Sequence, residues 1–196
     1  TKNFEHFSQL EKYNIPVVPH IICGGHTQED IENILIDLNF LGINNVLALR
    51  GDGPKPEKIF IPEPYGHAHT TELVEQIMNM NNGKYLDEKL QNPTPTNFSI
   101  GVAGYPEKHF EATDMDTDMK YLKMKVDKGG EYIVTQMFFD NTYFFDFVEK
   151  CRKAGITVPI VPGIKPISTI KEIEVIPDVF FINMPDELVK SVKACK

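Results

Sequence analysis

The stretch Val46-Leu47-Ala48-Leu49-Arg50-Gly51-Asp52-Gly53 sets a cation and a carboxylate side by side at the end of a short apolar run. The run has the length and apolarity of a buried parallel strand, and α/β folds gather their chemistry at the carboxyl ends of such strands. The glycines let the backbone approach a ligand, Arg50 can hold an anion, and Asp52 can face a developing positive charge. Taken alone, the segment also fits a turn with a surface ion pair, since Asp-Gly-Pro is good turn chemistry. Polar residues at other strand ends weigh against that: His20 lies on an earlier strand, Tyr105 and His109 leave the third, Gln136 sits late in the fourth, and Lys165 follows the fifth. A buried amide, imidazole and phenol each need a partner. With no cysteine–histidine cluster and no paired carboxylates, the set points to a flat polar organic ligand and to no metal. No residue stands out as a nucleophile with an adjacent base.

Alternating strand and helix patterns position these residues. Residues 3–13 read as a helix and Val17 to Ile22 as a strand. Thr27 and Asp30 cap the next helix, whose stripe of Ile31, Ile34, Leu35, Leu38 and Leu41 closes at Gly42. Val46–Leu49 is the second strand. A loop runs to about residue 67 before Leu73, Val74, Ile77 and Met78 mark a helix, and 81–97 reads as a flexible connection. Ser99–Gly104 is the third strand, with a helix through Met115, Met119, Leu122 and Val126. Ile133–Phe138 is the fourth, with a helix through Phe144, Phe147, Val148 and Cys151 that Gly155 ends. Pro159–Ile164 is the fifth, and after Ser168 a helix runs to about Val175, beyond which the pattern weakens. Such alternation demands a parallel sheet with helices outside. No G-x-G-x-x-G follows a strand, which removes the dinucleotide-binding open sheet. The expectation is a single domain over 1–196: an incomplete TIM-type (β/α)8 barrel of about five strand–helix units.

Composition excludes several classes. The net charge of −8 argues against a nucleic-acid or anionic-membrane surface as main partner. No stretch has the length and apolarity of a membrane span, and no leader-like segment opens the chain. Cys23, Cys151 and Cys195 form neither a disulfide framework nor a zinc pattern, so a cytoplasmic setting is the expectation.

Longer matches then become specific. Pro19-His20-Ile21-Ile22-Cys23, Ala48-Leu49-Arg50-Gly51-Asp52 and Ala103-Gly104-Tyr105-Pro106-Glu107-Lys108-His109 resemble the methylenetetrahydrofolate reductase family. So do Lys123–Gly130, Thr135-Gln136-Met137-Phe138-Phe139-Asp140 and Val161-Pro162-Gly163-Ile164-Lys165-Pro166, in the right order along nearly the whole chain. The resemblance implies a barrel holding FAD, which carries a hydride from NAD(P)H to 5,10-methylenetetrahydrofolate and yields 5-methyltetrahydrofolate for methionine synthesis, in a homo-oligomeric parent protein. It places His20, Arg50, Gly51, Asp52, Thr70, Tyr105, His109, Ala112, Asp118 and Lys125 at flavin-contacting positions, and Gln136 and Glu172 at folate-contacting ones. By the same resemblance Asp52 tunes flavin and folate electrostatically, and an amide at Gln136 suits the mixed hydrogen-bond edge of a pterin.

There are departures from the family. Tyr121 and Met124 stand where polar or basic flavin contacts are common, and Ile176 where a stacking aromatic can occur; the resemblance also implies that the first two barrel strands and the last are missing, so the general-acid glutamate of the first strand has no counterpart. The segment alone is therefore expected to be inactive. Two alternatives stay open: a flavin- or folate-binding barrel relic without chemistry, and a Schiff-base aldolase using Lys165.

Overall fold

The computed structural model describes residues 15–53 and 60–195; the helix predicted over 3–13 lies outside them. The elements alternate as β1 (His20–Ile22), α1 (Gln28–Phe40), β2 (Asn45–Leu49), α2 (Thr70–Asn81), β3 (Ser99–Gly104), α3 (Met115–Asp127), β4 (Tyr132–Met137), α4 (Asn141–Lys153), β5 (Ile160–Gly163), α5 (Glu172–Phe180) and α6 (Asp186–Ala194). Strand order follows the chain, β1-β2-β3-β4-β5, and the pairs β1–β2, β2–β3 and β4–β5 are parallel. This is the expected α/β arrangement of an incomplete barrel, and the sheet is not closed. No helix of the described residues is long and apolar enough to cross a membrane. The chain divides into two compact units, one of residues 1–102 with 127–131 and one of 103–126 with 132–196.

In the first unit Val46, Leu47 and Ala48 of β2 are buried in succession, as a parallel strand covered on both faces requires. Helix α1 starts at the predicted Thr27 cap, and the structure closes it into a reciprocal box: Thr27 N–H donates to Asp30 Oδ2 at 2.9 Å, and Asp30 N–H to Thr27 Oγ1 at 3.1 Å. Its stripe of Ile31, Leu35 and Leu38 is buried, as are Leu73, Val74, Ile77 and Met80 of α2. The 81–97 connection is irregular, yet tied down where free flexibility was expected. Asn81 Nδ2 donates to the Phe98 carbonyl at 2.9 Å, its Oδ1 accepts from Thr96 Oγ1 and Phe98 N–H at 2.8 Å each, and Leu86 N–H donates to Glu32 at 2.8 Å. One amide side chain thus does the work of a strand partner.

In the second unit β4 buries Ile133 and Thr135, α3 buries Met119 and Leu122, and α4 buries Phe147 and Cys151. The β4–β5 register shifts between Val134 and Met137, and Gly163 lies against the β4 backbone there. Its N–H donates to Thr135 Oγ1 at 2.9 Å, and an added Cβ would fall on the Thr135 carbonyl oxygen. Gly163→Ala must push the strands apart and is expected to destabilise the protein by about 3 kcal/mol. A urea titration checks this, and a loss below about 1 kcal/mol would contradict so close an approach.

The carboxyl-terminal end departs from the sequence reading. Helix α5 continues through Pro177 to Phe180, and α6 follows. Proline reads as a breaker because it lacks an N–H, but in a helix of 9 residues it costs a single bond. Phe181 then ends α5 in the left-handed region (φ 55°). Helix α6 buries no residue fully.

Candidate functional site

In the first unit, β1 and β2 stay paired past their ends: Cys23 N–H donates to the Leu49 carbonyl and Gly24 N–H to the Arg50 carbonyl, both at 3.1 Å. This delivers Arg50-Gly51-Asp52 to the carboxyl edge. Gly51 has φ +86°, where an L side chain would be strained, and a Cβ there would sit 3.7 Å from that of Ile22. The Arg50 guanidinium lies 5.0 Å from the centroid of the Phe60 ring, a cation–π contact that holds its plane. The sequence reading missed Phe60, which sits in the long loop after β2, outside every strand and helix pattern. Asp52 is exposed, as is His20 on β1, while Thr70 opens α2 part-buried. The turn before Thr70 is held by Glu72 Oε2, which accepts from Ala68 N–H at 2.7 Å and His69 N–H at 3.2 Å. Cys23 is buried, and that burial pushes its thiol up to about 12, so it is no nucleophile.

The second unit carries a tighter group on the loop after β3 and on α3. Lys125 Nζ donates to the Ala103 carbonyl at 2.6 Å and lies 5.9 Å from the Tyr105 ring centroid. Burial pulls its pKa down to about 8, against the upward pull of Asp118. Asp118 is itself buried, which raises its pKa, and its Oδ2 accepts from His109 N–H at 3.1 Å. The His109 ring meets Tyr105 edge to face at 4.7 Å. Its Nδ1 accepts from Glu111 N–H at 3.2 Å, which assigns the proton of the neutral ring to Nε2. Ala112 is buried, and its carbonyl accepts from Lys108 Nζ at 2.7 Å. Tyr105, His109, Ala112, Asp118 and Lys125 are thus brought together. An enclosed ammonium whose proton is held less firmly than usual suits an anionic group such as a phosphate.

Gln136 and Glu172 also lie in this unit. Gln136 Oε1 accepts from Met137 N–H at 2.9 Å, leaving the amide NH2 as the group able to donate. Glu172 is used on both oxygens: Oε1 pairs with Lys165 Nζ at 2.7 Å, and Oε2 accepts from Ser168 N–H at 2.6 Å and Thr169 N–H at 2.9 Å. It therefore secures the start of α5. Lys165 stands in an ion pair where a Schiff-base lysine needs an apolar pocket that frees its amine. The Lys165 bond, with those two backbone bonds, holds the Glu172 carboxyl down at about 2. Its contribution to stability is full above the ordinary carboxylate range and is lost as pH falls toward 2. Glu172→Gln should therefore lower stability at pH 7 and remove part of the loss between about pH 4.5 and 2. Urea midpoints across that range check this, and parallel acid limbs for the two proteins would refute it.

Parallel strands alternating with helices, with a cation–carboxylate turn at a strand exit of one unit and a lysine held at a strand exit of the other, define an α/β protein with polar groups at its strand ends. The family model for methylenetetrahydrofolate reductase matches residues 6–196. Methylenetetrahydrofolate reductase (NADH) 1 of Arabidopsis thaliana is 40% identical over 166 residues, which are 80% of this chain and 26% of the plant protein. 5,10-Methylenetetrahydrofolate reductase of Escherichia coli K12 is 33% identical over 175 residues, 89% of this chain and 52% of the bacterial protein. The chain belongs to the methylenetetrahydrofolate reductase family. It spans about a quarter of the plant relative and half of the bacterial one. Among solved structures, a Clostridium thermocellum protein that binds two copies of 5-methyl-5,6,7,8-tetrahydrofolic acid matches over 97% of this chain and 80% of its own. At 16% identity and a TM-score of 0.40 it adds nothing about the site.

Proposed function

We propose that the protein to which this chain belongs reduces 5,10-methylenetetrahydrofolate to 5-methyltetrahydrofolate, taking electrons from NAD(P)H through bound FAD. The observation that carries this reading is the enclosed Lys125, set between Asp118 and Tyr105 in a chain that matches the family from residue 6 to 196. Each unit by itself offers residues of a kind that FAD takes: Lys125 in the second is a cation suited to a phosphate, and in the first Arg50 is another, with Gly51 allowing close backbone approach. FAD supplies, when bound, transfer of a hydride between nicotinamide and folate.

The chain's own residues bind and tune. In the second unit His109 and Tyr105 offer an edge-to-face pair beside the ammonium, and Ala112 and Asp118 shape the loop around it; His20 and Thr70 are the flavin-contacting positions that the resemblance implies for the first unit. Gln136 donates to the pterin through its amide NH2. Asp52 opposes negative charge on the reduced cofactor and favours a cationic iminium form of the folate. Glu172 acts on the folate side through the α5 start that it holds. The test is purification of the full-length protein, its visible spectrum, and mass-spectrometric detection of 5-methyltetrahydrofolate from added substrates. Flavin absorbance with product formation supports the reading; a colourless protein that makes no product defeats it.

A further inference from the structure

We propose that Glu107 and Asn183 form a clasp that fixes the loop after β3, making both positioning residues for the flavin-facing Tyr105 and His109; this rests on the function proposed above. Residues 105–112 form no regular element and include Lys108 at φ +79°, a strained conformation for a residue with a side chain. On its inner side this loop is held by Lys108 Nζ, which donates to the His109 and Ala112 carbonyls at 3.1 and 2.7 Å, and by Asp118 on His109 N–H.

The other side is held from far along the chain. Glu107 Oε2 accepts from the Asn183 backbone N–H at 2.8 Å and also from Asn183 Nδ2. That same Nδ2 reaches the Tyr143 hydroxyl on α4 at 3.1 Å. A second contact of different chemistry joins the same two segments: Phe110 stacks on Phe181, with centroids 4.7 Å apart and planes at 18°. Phe181 is the left-handed residue that ends α5, so the helix turns sharply where the stack and the hydrogen bonds lie.

Glu107 shows that the arrangement has a cost. Its Oε1 is buried and has no hydrogen-bond partner among the described residues, and burial raises the carboxyl's pKa. A residue that served only to fill space would not need a carboxylate here. What the carboxylate provides is one oxygen able to take two N–H donors from a segment 76 residues away. Glu107 lies two residues from Tyr105 and two from His109, so loss of the clasp displaces both, and a displacement of about 1 Å at a binding site can lower function as much as ~100-fold.

The test uses the full-length protein and the dissociation constant of FAD, read from flavin fluorescence. Asn183 is exposed, so Asn183→Ala leaves the core intact. That variant and Glu107→Ala are each expected to weaken FAD about tenfold or more, with the double variant no worse than the weaker-binding single one. Glu107→Gln keeps an oxygen for both N–H donors and should recover affinity to within about threefold. Ile156→Val, a buried change outside the loop, should lower stability and leave FAD affinity unchanged. A flavin-binding wild type whose Asn183→Ala and Glu107→Ala variants keep its affinity, or whose two losses add, overturns the clasp alone. A wild type that binds no FAD overturns the functional reading, and the clasp's role with it.

Discussion

On the function proposed above, replacing Asp52 by asparagine in the full-length protein is expected to slow the folate-consuming half of the reaction about tenfold or more, a loss of roughly 1.4 kcal/mol or more of transition-state stabilisation. The substitution removes one negative charge and keeps size and hydrogen-bonding capacity nearly intact. Asp52 is exposed at the carboxyl edge of β2, directly after Gly51, and accepts no hydrogen bond among the described residues. If it faces the reacting groups, the cationic folate loses a stabilising partner. Removing the charge also raises the midpoint potential of the bound flavin, because the reduced, more anionic form meets less repulsion. The nicotinamide-consuming half builds no folate cation and should change far less. A surface ion pair with Arg50 would disturb neither potential nor rates. Stopped-flow measurement of each half with a redox titration separates the two accounts, and equal slowing of both halves at an unchanged potential would leave Asp52 a structural residue.

Lys125→Met is the second large effect. The fold pulls the Lys125 ammonium's pKa from 10.5 to about 8, so the folded chain lacking its anionic partner releases that proton before the unfolded chain does. Stability of the flavin-free protein should accordingly rise with pH between about 8 and 10.5, and the methionine variant should lack this rise. Flavin affinity runs the other way. A phosphate beside Lys125 favours the charged form, so binding takes up a proton above pH 8 and the affinity of the wild type declines as pH increases from there. The variant should bind FAD about tenfold or more weakly at pH 7 and lose that decline. Titrations at pH 7 and pH 9 decide the matter, and a wild type with equal affinity at both would show that Lys125 faces no anion.

Much of this was legible in the sequence because the signals are local. The β2 run and its Arg50-Gly51-Asp52 exit lie within a few residues of one another, and the Thr27–Asp30 box spans a single turn. Strand exits could be aligned from the alternation alone, and the structure brings Tyr105, His109, Ala112, Asp118 and Lys125 together. What stayed hidden depends on distance along the chain. Phe60 reaches Arg50 across a loop without periodicity, and Asn183 meets Glu107 from a region where Pro177 obscured the helical pattern. Glu172 illustrates another limit. Its position was readable, but its commitment to Lys165 and two backbone N–H groups follows from the turn into α5, which no spacing rule specifies.

If these strand exits serve flavin-dependent folate reduction, one anaerobic titration of the purified full-length protein shows it. The expected result is a visible flavin spectrum that bleaches when NADH or NADPH is added and returns when 5,10-methylenetetrahydrofolate follows. A protein without that spectrum, or one whose colour bleaches with nicotinamide and fails to return with the folate, would contradict it.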